Sequence, residues 1–366
     1  MTGSRVWRLA VICAALVAFD GTASAAPTVT APVSSAKFGA SIVVRGSGFP
    51  ANARGVIRIG GVDATTLRTS RGGSFQARFR VPLVAPGARK LVVRVTVPGS
   101  TTIKRAVINF TVRRGMAKVD HVVWILMENK DYEQIIGAPE SPYVTALAAR
   151  YGNLTNMTAE THPSLPNYIA MTSGTMQDAL ADSGPPTAHP LDIDSIFGQP
   201  NGDWRALQDA MLQPCLLANS GTYVVRHNPA TYYTRVRSEC AARNVPLADT
   251  PDLRAKFTFV TADLCNGTHD CPVPVGDAWL AGFVPKVLAS AEYRSGRTVA
   301  FVTWDESNGT PANHIATVVI APTIRHVSSG SAFTHYSMLR TTEELLGLPL
   351  LGFAKTAQSM RSALGL

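Results

Sequence analysis

Two residue pairs, Glu128-Asn129 and Asp305-Glu306, carry the strongest chemical signal in the chain. Each ends a strongly apolar run, VVWILM at 122–127 and VAFVTW at 299–304. Carboxylates together with an amide carbonyl make a hard, anionic oxygen cluster of the kind that holds a divalent cation. A turn acid or helix cap would account for one such pair. Two pairs at equivalent ends of two buried strands are harder to assign to capping. Between them lies Thr161-His162-Pro163-Ser164-Leu165-Pro166-Asn167-Tyr168, followed by an apolar helical run. Pro163 and Pro166 stiffen that turn and leave Ser164 at a helix start. A serine there is either a plain cap or a nucleophile, because helix N–H groups and the dipole stabilise an anion. A cation beside the hydroxyl would make an attacking alkoxide accessible.

These oxygens need a scaffold. The runs 122–127 and 299–304, with 315–321 and 257–260, read as strands buried on both faces. Helical patterns are expected at 143–151, 204–212, 277–291 and 337–346. Alternation of the two predicts an α/β layered fold with a mostly parallel central sheet, whose ligands bind beyond the strands' carboxyl ends.

The 366 residues exceed one ordinary domain, and 46% hydrophobic with 16% charged residues excludes a disordered chain. Residues 1–25 read as a signal peptide: Arg5 and Arg8, an apolar run from Leu9 to Phe19, then Ala23-Ser24-Ala25. A secreted or cell-envelope location follows. Cys215, Cys240, Cys265 and Cys271 then number four in an oxidising compartment. Three pairings exist; Cys215–Cys240 and Cys265–Cys271 are favoured because both close short loops. A four-thiolate zinc site competes, but no C-x-x-C pair is present.

Residues 26–113 alternate apolar and polar at 41–45, 55–59, 75–81 and 91–95, between Gly- and Pro-containing turns. This predicts a small all-β sandwich, and the Gly46–Pro50 stretch with the strand after it resembles the small immunoglobulin-like modules attached to bacterial secreted proteins. It holds 14 Lys/Arg against one acid, Asp63, whereas 114–366 hold 18 against 23. The module at +13 would draw an anionic cell-wall polymer or lipid surface; the plain alternative is a spacer whose arginines face water. No motif for specific nucleic-acid reading accompanies the charge, and nothing fixes the oligomeric state.

In order, the second domain (114–366) carries Met127-Glu128-Asn129, the 162–168 stretch, His227-Asn228-Pro229, 266–271, Asp277-Ala278-Trp279-Leu280, Trp304-Asp305-Glu306 and His335-Tyr336-Ser337. The set resembles the secreted phosphoesterases that include bacterial acid phosphatases and phospholipases C, within the alkaline-phosphatase-like superfamily. It covers roughly residues 118–353. Lys130 departs from it, since many relatives have His there. The resemblance implies that Glu128, Asn129, Ser164, Asp305 and Glu306 hold one divalent cation, Ca, Mg or Mn in preference to Zn. It implies Ser164 as nucleophile, His269 and His335 as proton donors, and Asn167, His162 and His227 as substrate-binding groups, with His314 a weaker histidine. Asp263 and Asp270 are second-site ligands or supports of the Cys265–Cys271 loop, the loop role being preferred for Asp263. The expected activity is an acid-phosphatase-type phosphomonoesterase on phosphoinositides or small phosphate esters, through a phosphoserine. Phospholipase C is the alternative, disfavoured because no lipid-contacting module follows residue 353 to the end at Leu366. A catalytically dead surface-binding protein is the third reading.

Overall fold

The computed structural model describes residues 26–176 and 184–366. The signal-peptide reading falls on 1–25, outside the described residues.

The period-two segments fold into two facing sheets. One holds strands Thr28–Thr30, Ser41–Ser47 and Phe75–Arg80. The other runs Ser35–Phe38, Ile103–Met116, Gly87–Thr96, Arg54–Ile59, Val62–Arg68. Alternation sends Leu91, Val93 and Val95 inward to meet Val44, Ile57 and Phe110, leaving Val92 and Arg94 on the outer face. Residues 28–38 serve both sheets, Thr28–Thr30 pairing antiparallel with Ser41–Ser47 and Ser35–Phe38 parallel with Ile103–Met116. That last strand passes Arg113 and reaches Met116, whose side chain joins the core of the second unit. Phe38 packs there too, against Gly296, whose φ of +77° and missing Cβ make room for the ring.

The second unit is built on an eight-stranded sheet. Its order is Asn244–Pro246, Trp204–Gln208, Phe257–Thr261, His121–Met127, Thr298–Trp304, Thr317–Ile320, Gly152–Leu154, Val327–Ser329. The first five are mutually parallel; Thr317–Ile320 runs antiparallel to both its neighbours. Every residue of Thr298–Trp304 is buried, which is why its sequence carries no alternation. Helices Pro142–Arg150, Val273–Ala289 and His335–Leu346 form where the apolar spacing predicted them. The segment expected as a helix at 204–212 is instead the strand Trp204–Gln208. So short an apolar stretch fits either period, and pairing on both sides with Phe257–Thr261 and Asn244–Pro246 decides for the strand. Asp277 accepts from Tyr143 N (3.0 Å), Val144 N (2.9 Å) and Ser141 Oγ (3.1 Å). It therefore caps helix Pro142–Arg150 from a neighbouring helix. The disulfides are Cys215–Cys240 and Cys265–Cys271.

Helix His335–Leu346 also carries a pH-dependent element. Glu343 is buried, its Oε1 accepting from Leu351 N at 3.0 Å while Oε2 has no hydrogen-bond partner. Burial pushes this carboxyl up to about 8. The folded state thus keeps a proton that the unfolded chain has already lost above its own pKa near 4.5. Stability is full below that value and declines as pH rises to about 8. Glu343→Gln should flatten this slope in thermal midpoints measured from pH 4 to 9. An unchanged slope would place its origin elsewhere.

Candidate active site

The site forms where two neighbouring strands end in register. Met127 pairs with Trp304, so Glu128 and Asp305 emerge side by side. Glu128 N donates to Gly267 O (2.7 Å), and its carbonyl accepts from Thr268 Oγ1 (2.7 Å). The chain then turns at Asn129, whose φ of 51° is in the left-handed region that Asn tolerates better than most residues. That turn aims Asn129 N at Asp305 Oδ1, 3.1 Å away.

Ser164 is the first residue of helix Ser164–Ser173, which is buried along its whole length. Its hydroxyl lies 3.5 Å from Glu128 Oε2 and 3.4 Å from Glu306 Oε1. These are loose contacts between two carboxylates, and the hydroxyl stays available. Asn167 fixes the loop leading into the helix. Its Oδ1 accepts from Glu160 N (3.1 Å) and Thr161 N (3.0 Å), and its Nδ2 donates to Thr161 O (2.6 Å) and Pro163 O (3.2 Å). Only a 3.4 Å contact to Glu306 Oε2 points its amide at the site. The four loop bonds make Asn167 the tie of the serine turn. His162 Nδ1 donates to Glu306 Oε2 at 2.6 Å and orients that carboxylate.

Three carboxylates are thus buried around one hydroxyl. Burial, with Asp305 alongside, pushes Glu128 well above the carboxylate range, although the Tyr168 hydroxyl donates to it. Burial lifts Asp305 to about 6. Asp305 Oδ2 and Asn129 Oδ1 are buried with no hydrogen-bond partner. Among the described residues no group of three His, Cys, Asp or Glu donors stands as a ready cage. The donors here instead mix carboxylate, amide and hydroxyl oxygens. Orphaned buried oxygens beside crowded carboxylates are what a hard divalent cation offsets, so the residues fit one.

A basic wall meets this acidic one at Glu128. His227 is fully buried, stacked on Tyr168 with ring centroids 5.4 Å apart, and its Nδ1 lies 3.2 Å from Glu128 Oε1. Burial, then Arg226 and His269, hold it well below the usual histidine value, so it is neutral. His269 Nδ1 faces Asp270 Oδ1 at 2.5 Å, and Arg226 Nη2 reaches its Nε2 at 3.3 Å. Arginine only donates, so Nε2 accepts and the ring proton sits on Nδ1. Lys130 Nζ donates to Asn129 O (3.0 Å) and Thr268 O (2.6 Å), bracing the Asn129 turn.

Other sequence candidates lie elsewhere. His335 is buried at the start of its helix, with Nε2 donating to Trp304 O at 3.0 Å. Burial lowers it to about 4, which leaves a neutral ring supporting the strand end that carries Asp305. His314 stacks on Tyr132, with Nδ1 3.3 Å from Glu133 Oε1. Asp263 accepts from Cys265 N (3.0 Å), Asn266 N (2.7 Å) and Thr222 Oγ1 (2.6 Å), ordering the disulfide loop. The sequence reading gave no role to Arg226 or Tyr168. Both are adjacent to flagged residues, His227 and Asn167.

A nucleophile-type hydroxyl at a helix N-terminus, buried carboxylates on one side and Arg and His on the other, define a hydrolase acting on phosphoric ester bonds. The chain belongs to the Phosphoesterase family, which it matches over residues 138–349. It is 28% identical over 244 residues to a phosphatidylinositol-3-phosphatase of Mycobacterium tuberculosis, spanning 65% of this chain and 80% of that protein. It is 28% identical over 252 residues to an acid phosphatase of Aspergillus fumigatus, spanning 63% of this chain and 55% of that one. Its structure is similar to a Vibrio parahaemolyticus protein in the alkaline phosphatase superfamily, at 15% identity and TM-score 0.48 over 68% of this chain and 72% of that one. Among the described residues no helix is long and apolar enough to cross a membrane.

Proposed function

We propose that this protein is a secreted, cation-dependent phosphomonoesterase of the acid-phosphatase type that works through a phosphoserine. The observation carrying this is the Ser164 hydroxyl, at a helix start, between Glu128 and Glu306. Glu128, Asn129, Ser164, Asp305 and Glu306 would hold the cation, which when bound supplies Lewis-acid stabilisation of anionic oxygen. Ser164 Oγ passes its proton to Glu306 Oε1, 3.4 Å away, and attacks phosphorus; the P–O bond to the leaving alcohol breaks, and the phosphoryl group stays on Ser164. The helix N-terminus favours the anionic phosphoryl oxygens, and Arg226 is placed to pair with one of them. His269 acts as an acid only after Nε2 has taken up a second proton in place of its contact with Arg226; oriented by Asp270, it then gives that proton to the departing oxygen, and the freed Nε2 lone pair takes one from the water that releases phosphate. Small phosphate esters and phosphoinositides are the substrate classes; the name of the mycobacterial relative supports the second. The strand order of the basic module supports an immunoglobulin-like reading of 26–113. The two disulfides support export.

A substrate comparison tests the reading. p-Nitrophenyl phosphate should be turned over at least about tenfold faster than p-nitrophenylphosphorylcholine, since Arg226 rewards the doubly charged monoester. The reverse preference would move the assignment to a phospholipase C. Turnover of neither, by folded and cation-loaded protein, would leave a binding protein.

A further inference from the structure

The outer face of the five-stranded sheet in the basic module carries cations in a pattern that solvation alone does not require. Arg94 and Arg105 face each other directly across adjacent strands, and Val56 pairs with Arg94 on the other side. Like charges in directly opposed positions destabilise a sheet. Among the described residues neither arginine has a carboxylate partner; the one acid of the module, Asp63, is held by Arg58 at 2.5 Å. Arg58 pairs with Val92, two residues along the strand from Arg94, and Lys90 lies two residues further, opposite Asn109. Arg94, Val92 and Lys90 therefore share one face at steps of roughly 7 Å. Two depressions cross this face. One of about 450 Å³ is lined by Arg58, Arg94 and Arg105. One of about 510 Å³ is lined by Lys90, Val92 and Asn109 of this face and, at the end of the sheet, by Arg89 and Phe110 of the opposite alternation. Gly61 and Val92 line both, so the two depressions adjoin.

We infer that this row of cations binds a linear polymer of phosphodiester-linked polyols, a chain of evenly spaced anions without bases. Charge complementarity calls for an anion, and the spacing of Lys90 and Arg94 along one strand, with Arg58 and Arg105 on the strands beside it, calls for an extended one. The residue types then separate this occupant from two others. Residues 26–113 contain no Trp and no Tyr. Phe49, Phe75, Phe79 and Phe110 are buried in the sandwich, and Phe38 packs against the second unit. No aromatic side chain on the face is placed to stack bases as single-stranded nucleic acid binders do, or to anchor a bilayer interface.

The test uses the full chain and fluorescein-labelled poly(glycerol phosphate), followed by anisotropy. Binding should be measurable at 0.05 M NaCl and weaken at least about tenfold by 0.5 M. Arg105→Glu places an acid opposite Arg94. It should cut affinity about tenfold or more, raise the thermal midpoint, and leave p-nitrophenyl phosphate turnover unchanged. The paired variant Arg94→Gln/Arg105→Gln, which adds no charge, should lose affinity as well. Wild-type affinity in both variants would overturn the assignment. So would tighter binding of phosphatidylglycerol vesicles or of a single-stranded oligonucleotide than of the polymer.

Discussion

Ser164→Ala should lower kcat/KM for p-nitrophenyl phosphate by roughly a thousandfold or more while leaving the fold in place. Among the described residues the hydroxyl is the nucleophile-type group in contact with both Glu128 and Glu306, and it sits at the positive end of an entirely buried helix. Its loss removes the atom that would take the phosphoryl group, so no second residue substitutes by a small shift. Stability should change little. The hydroxyl contacts are 3.5 and 3.4 Å long, and alanine fills nearly the same buried space without leaving a strong donor unpaired. Asn167 still ties the incoming loop, so the turn at 160–164 should persist. Two measurements distinguish nucleophile from spectator. Steady-state rates give the loss, and an acid quench during turnover of a ³²P-labelled monoester traps the phosphoryl group on wild type but not on the variant. A variant that retains more than a tenth of the activity, or that still becomes labelled, would sink the role of Ser164.

The sequence was most readable where one physical rule acted alone. Runs such as 122–127 and 299–304 lack alternation because both faces are covered, and that marks them as interior strands of a largely parallel sheet. Placing Glu128 beside Asp305 then required only that the two strands be neighbours in register. Trp204–Gln208 was unreadable for the opposite reason: five residues cover too little of either period, and its pairing partners lie far along the chain. Side-chain roles divide in the same way. Ser164 is marked by its own neighbours, Pro163 and the helix that follows. His335 carries the same residue type as His269, yet one is sealed under the Trp304 carbonyl and the other lies at the site rim beside Asp270 and Arg226. No local pattern distinguishes a sealed histidine from one at the rim, because the difference is burial set by a strand some thirty residues away. Arg226 was missed on the same ground, its contact with His269 being made between the short helix Val225–His227 and the disulfide loop.

The carboxylate cluster leads to a second large effect, one with opposite signs in two conditions. In chelator-treated protein, Asp305→Asn should match or exceed wild type in thermal midpoint. With a divalent cation present it should fall below. Burying Glu128, Asp305 and Glu306 together is costly when their charges are not offset, and the upward displacement of Glu128 and Asp305 reflects that cost. The amide keeps an oxygen to accept from Asn129 N, as Asp305 Oδ1 does at 3.1 Å, while removing one negative charge. The same substitution deprives a cation of the buried oxygen Oδ2, which lacks any hydrogen-bond partner. A ligand at a hundredfold excess over its Kd stabilises the folded state by about 2.7 kcal/mol, which corresponds to a rise on the order of 5–10 °C for a unit of this size. Titrating Ca, Mg, Mn and Zn separately into both proteins, with thermal midpoint as the readout, should show that rise in wild type for at least one ion and little of it in the variant. The midpoint does not depend on turnover, so the result bears on the site even if the natural substrate is never supplied. Should none of the four ions move the wild-type midpoint, or should the variant respond as fully as wild type, the oxygen cluster would have to be explained by shared protons alone, and the hydroxyl of Ser164 would need another source of activation.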